Sequence, residues 1–196
     1  MAGLIKRLPV AVLTAICTLF ASLAAQNETP DLTQKIPVDP QVTVGQFDNG
    51  LRYYIRVNKK PEKRADLWLI VDAGSVFEDD DQQGLAHLAE HMAFNGTKNF
   101  RKQELIDYLE AIGMKFGPEV NAFTGFDETG YMLQVPTDSS HFVEKGFQIL
   151  EDWAHQVSYD SDEIDKERGV VIEEWRLSRG ASMRMLDRQL PILFKD

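Results

Sequence analysis

His87 and His91 stand four residues apart with Glu90 between them, in the run His87-Leu88-Ala89-Glu90-His91. On a helix this spacing puts both imidazoles on one face, one turn apart, because four steps of roughly 100° return nearly to the start. Glu90 falls on the flank of that face. Two imidazoles so placed can grip one metal ion while the carboxylate points at whatever else the metal binds, the layout needed to activate a water molecule. The competing reading is an ordinary buried helix with two histidines and a surface glutamate. Against it, the chain has four histidines and two of them fall inside this run.

The order H-x-x-E-H is the inverse of the common zinc-hydrolase signature. A two-histidine zinc site needs a third protein ligand, usually a carboxylate in a hydrolase, and leaves the fourth position to water. The candidate segment runs from Asp165 to Arg176. Read as a helix, it puts Glu167, Val170, Val171 and Glu174 on one face, so two carboxylates lie on a partly apolar stripe. A carboxylate there is costly unless something pairs with it, and zinc would be such a partner. Glu173 points about 100° away from Glu174 and is the poorer choice. A solvated, acid-rich helix face explains the same residues. Spacing alone leaves the two readings level.

Four stretches, in order, carry a resemblance: Phe47-Asp48-Asn49-Gly50-Leu51-Arg52, His87 through Thr97, Asn121-Ala122-Phe123-Thr124, and Glu167 through Glu174. Together they resemble the N-terminal peptidase domain of the pitrilysin/insulinase family of zinc metallopeptidases, which includes the mitochondrial processing peptidases. Phe116-Gly117-Pro118 and Tyr131-Met132-Leu133-Gln134-Val135-Pro136 are closer in wording to bacterial, exported members. The resemblance implies a zinc-dependent metalloendopeptidase acting on extended or unstructured peptides, with one Zn²⁺ per chain. His87, His91 and Glu174 would be the metal ligands, Glu90 the catalytic base, and Glu167 a carboxylate supporting the site without binding metal. Asn121, Ala122, Phe123 and Thr124 would offer a sheet edge to which substrate adds as a strand. The alternative is a non-catalytic partner subunit, but such members lose part of the H-x-x-E-H set or the distal glutamate, and all are present here. A zinc module without hydrolytic work would have no need of Glu90.

These residues need elements to hold them. Leu85, Leu88, Ala89 and Met92 give the histidine helix an apolar stripe, Asp79-Asp80-Asp81 bring acid near its start, and Asn95-Gly96 ends it. Val42 to Val57 reads as a hairpin around Asn49-Gly50, and Ala65 to Ala73 as a buried strand ending at Gly74. A second helix carries Leu105, Leu109 and Ile112 and closes at Gly113. Strands follow at Val120–Thr124 and Glu128–Val135, then helices at His141–Val157 and Ser161–Arg179. Strands grouped around helix pairs imply an α+β sandwich, a mainly antiparallel sheet covered on one face by helices. Such is the fold of the mitochondrial-processing-peptidase-like metallohydrolases that the chain resembles. Trp153 and Trp175 read as core, and His141 and His155 as surface or structural.

The remaining sequence bears on location and partners. Lys6 and Arg7, an apolar stretch from Leu8 to Phe20, and small residues Ser22, Ala24 and Ala25 read as an export signal over residues 1–25. An uncleaved anchor or a lipoprotein signal using Cys17 are the competing readings; Ile16 fits the latter poorly. Residues 26–39 read as a flexible leader and 40–196 as the peptidase domain. The chain is therefore expected to be exported, periplasmic or secreted, with no stable membrane insertion after cleavage. With Lys6 and Arg7 gone, 21 basic residues become 19 against 31 acidic, a net charge of −12. That balance excludes nucleic acid as a natural partner. Cys17 is the single cysteine, so a mature chain has no disulfide and no cysteine-ligated zinc. The apolar run Leu190-Pro191-Ile192-Leu193-Phe194 is one that a finished protein rarely leaves at its terminus, and the family resemblance implies further peptidase-like domains, in cis or in a partner subunit, that complete the substrate chamber.

Overall fold

The computed structural model describes residues 33–194. The expected signal, Cys17 and the first half of the leader lie outside them. The described residues divide after Val57 into two compact units. In the first, strands β1 (Val42–Gln46) and β2 (Arg52–Arg56) pair antiparallel. The hairpin turns through Gly50 at φ 91°, with the Asn49 carboxamide accepting from Leu51 N–H at 3.0 Å. This is the Asn-Gly turn expected from sequence, glycine supplying the left-handed conformation.

The second unit holds a three-stranded antiparallel sheet in the order β3 (Arg64–Val71), β5 (Thr129–Pro136), β4 (Val120–Thr124). Five helices accompany it: α1 (Leu85–Met92), α2 (Glu104–Ala111), α3 (Ser140–His155), α4 (Ser161–Ser178) and α5 (Ala181–Leu193). The α+β class with an antiparallel sheet is as expected. Helix α3 packs on β3 and β5, and α1 touches both β4 and α4. Gly146 lets α3 come close, since a Cβ there would lie 2.7 Å from Leu67. The core beneath gathers Leu105, Leu109, Val120, Leu133, Val135, Ile149 and Trp153.

Two expectations are corrected. β3 is half-buried: Ala65, Leu67 and Leu69 meet the core, whereas Trp68 and Ile70 are exposed on the opposite face. Period-2 alternation over a sheet with one covered face does this, and a run rich in Leu, Ile and Val hides it. Trp175 is no core residue either; it is exposed on α4, with the Arg179 guanidinium 4.6 Å from its ring centre. Trp153 is buried as expected, and α5 is a helix that the sequence reading does not assign.

Candidate metal centre

Helix α1 is fixed at both ends. At its start, Gly84 adopts φ 94° and the Glu78 carboxylate accepts from Gly84 N–H at 2.8 Å and Ala86 N–H at 2.7 Å. Asp79, Asp80 and Asp81 are not in the first turn; Glu78 serves in their place, bridging two of the amide groups that a helix start leaves without partners. Beyond its end, Trp153 Nε1–H donates to Ala93 C=O at 3.0 Å. The following loop is tied down by the buried Asp152, which accepts from Thr97 Oγ1, Asn99 N–H and Asn99 Nδ2. Gly96 in this loop has φ 131°, but the helix already ends at Met92 with Ala93 as its cap in right-handed conformation, so the expected left-handed glycine stop is not what closes it.

With the helix so held, His87 and His91 stack edge to face, their rings 4.7 Å apart at 85°. Their Nε2 atoms lie 3.2 Å apart, and Glu174 Oε2, arriving from α4, is 3.5 Å from each. A tetrahedral ion with ligand bonds of about 2.0–2.1 Å separates neighbouring ligand atoms by about 3.3–3.4 Å. The three atoms thus outline one face of such a tetrahedron, and they form a group that could hold a metal. Lone pairs turned on a single point repel unless a cation or a proton lies among them. His91 Nδ1 is 3.0 Å from Glu167 Oε2. If Nδ1 donates there, the proton sits on Nδ1 and the Nε2 lone pair faces the common centre. His91 and Glu167 are mostly enclosed, while the His87 and Glu174 side chains stay 38% and 49% exposed, so the centre opens to one side. Such an open side is what a reacting water and substrate require.

Glu90 is buried at the same centre, and its Oε2 accepts a 2.7 Å hydrogen bond from Thr124 Oγ1. Behind it, Tyr131 stacks on Trp153, and burial, reinforced by Tyr159 and Glu90 nearby, pushes its phenol up to about 12. Tyr131 therefore stays protonated and neutral across the physiological range. The cleft in front measures about 710 Å³ and is walled by α1, by Glu167 and Glu174, and by Asn121 to Phe126. β4 is an outer strand of its sheet, so the expected sheet edge at Asn121 to Thr124 is present. The N–H of Ala122 is met by the Asn121 carboxamide at 2.9 Å.

All nine residues expected at the site therefore line one cleft. His141 and His155 lie away from it on the surface of α3. Two contacts were missed: the capping by Glu78 and the hydroxyl of Thr124 on Glu90. Neither has a periodic signal, since Glu78 reaches across a turn and Thr124 is 34 residues from its partner.

An α+β domain presenting two helical histidines and a carboxylate to one open point is of the metallohydrolase kind. Residues 53–189 match the family described as Insulinase (Peptidase family M16), and the chain belongs to that family. It is 37% identical over 174 residues to a probable zinc protease PqqL of Haemophilus influenzae, covering 89% of this chain and 19% of that protein. The crystal structure of the first half of the periplasmic protease PqqL from Escherichia coli superposes with a TM-score of 0.76 at 38% identity, over 83% of this chain and 35% of that one. The bovine cytochrome b-c1 complex subunit 1 is 30% identical over 146 residues, 74% of this chain and 28% of that protein. The chain thus spans about a fifth of the PqqL relative it matches. Among the described residues, no helix is long and apolar enough to cross a membrane.

Proposed function

We propose that the chain supplies the hydrolytic centre of a zinc metalloendopeptidase acting on extended peptides. The observation that carries this reading is the triangle of His87 Nε2, His91 Nε2 and Glu174 Oε2, with sides matching a tetrahedral face, beside the carboxylate of Glu90. These three residues would hold one Zn²⁺. Bound zinc supplies the acidity that brings a water to a pKa of about 7 and the positive charge that stabilises an oxyanion. Glu90 takes the proton from the attacking water and returns it to the leaving amine. Glu167 fixes the imidazole of His91 through Nδ1. The outer edge of β4 receives the peptide backbone as an added strand, the Asn121 carboxamide giving way at Ala122 N–H. The wording of the signal and the periplasmic location of the Escherichia coli relative support an exported enzyme.

A non-catalytic subunit is the second reading, favoured by the similarity to the cytochrome b-c1 subunit. The complete set of His87, Glu90, His91, Glu167 and Glu174 in one cleft argues against it, since a structural subunit has no use for Glu90. Replacement of Glu90 decides between them. In the full-length protein, Glu90→Gln should keep its zinc, because no ligand changes, and lose hydrolysis of an unstructured peptide by a factor of about 10² or more. Substantial turnover with zinc in place would remove Glu90 from the reaction.

A further inference from the structure

We infer that Thr124 is a positioning residue for Glu90, tying the reactive carboxylate to the strand that receives the peptide. The inference rests on the role proposed above for Glu90.

The last torsion of a glutamate side chain is broad, so a carboxylate with no partner samples many orientations. Here Thr124 Oγ1 donates to Oε2 at 2.7 Å, which pins one oxygen and leaves Oε1 to meet water. Alternation along β4 sends Val120, Ala122 and Thr124 towards the helices, and a threonine is stiff about its first torsion, so the donor is preset by the strand. The same strand end is locked to the front of α1. Gly125 C=O accepts from Ser75 N–H at 3.1 Å, and Phe126 C=O accepts from Val76 N–H at 2.8 Å. Gly74 makes that approach achievable, since a Cβ there would lie 2.5 Å from the Gly125 oxygen. Three residues after Ser75, Glu78 caps α1. The peptide-receiving strand therefore reaches Glu90 directly through Thr124 and reaches its helix through Glu78. A peptide held on β4 is held in register with the base.

The test compares Thr124→Val, which keeps the shape and removes the donor, with Thr124→Ser, which keeps the donor, in the zinc-loaded protein. The valine variant should lose about 10–100-fold in kcat, the usual range for removing a supporting hydrogen bond. Its KM, its zinc content and its directly measured affinity for an uncleavable peptide should be unchanged, and serine should restore most of kcat. In a Glu90→Gln background, Thr124→Val should lower the residual rate no further. A rise in KM at constant kcat would make Thr124 a substrate contact only. Equal losses in the serine and valine variants, or a further loss without Glu90, would mean that Thr124 acts through strand packing. Either result overturns the inference. If Glu90→Gln is inactive while Thr124→Val turns over normally, this inference alone falls; if Glu90→Gln is active, the proposed reaction falls with it.

Discussion

Glu167 and Glu174 share one face of α4 and yet meet different atoms, Glu174 facing both Nε2 nitrogens and Glu167 the rear nitrogen of His91. Their spacing of seven was readable from sequence, and so was the disadvantage of Glu173, which pairs with Arg176 instead. What spacing left open was whether the two carboxylates had a partner or merely faced water. The answer lay in α1, 76 residues away from Glu167, which no local pattern reveals. The difference between the two glutamates is measurable. Glu167→Ala should still bind one zinc at saturation but with affinity lowered about 10–100-fold, because His91 loses its orienting partner. Competition with a chelator reads this directly, and affinity equal to wild type would reduce Glu167 to a bystander.

Elements were legible where a period or a turn residue marked them. The hairpin at Asn49-Gly50 follows a local rule, and the helices read from His141 and Ser161 begin within a residue of those positions, where the Ser139 and Asp160 side chains accept from the first helical amides. Local rules failed where tertiary contact decided. The acidic triplet before α1 suits the helix dipole by its charge, yet it stands outside the first turn and Glu78 makes the bonds, to Gly84 N–H and Ala86 N–H. Glu78→Ala should therefore cost about 1 kcal/mol, as lost caps do, and lower the unfolding midpoint by about 2–8 °C. Asp80→Ala and Asp81→Ala, at exposed positions, should change it by much less. A scan in which the aspartates matter and Glu78 does not would reverse this account of the helix start.

At the scale of the molecule, the second unit leaves large apolar side chains in the open on α4 and α5, among them Trp175, Leu177, Met185 and Ile192, and just beyond α5 at Phe194. Contiguous exposed apolar surface ordinarily meets another surface. Peptides held between domains gain rate from enclosure and orientation that a single open cleft does not supply. The 196-residue chain alone should accordingly hydrolyse an unstructured peptide feebly and self-associate, and the addition of family domains such as its longer relatives carry should raise its specific activity. Equal activity with and without them would show a self-sufficient domain. Underneath these expectations lies one claim, that His87, His91 and Glu174 hold a catalytic zinc. Zinc bound per chain, measured with peptide turnover on the same samples, tests it most directly. The wild type should hold one zinc, Glu174→Gln should lose both metal and turnover, and Glu173→Gln should keep both. A Glu174→Gln variant that retains full zinc while Glu173→Gln loses it would contradict the assignment.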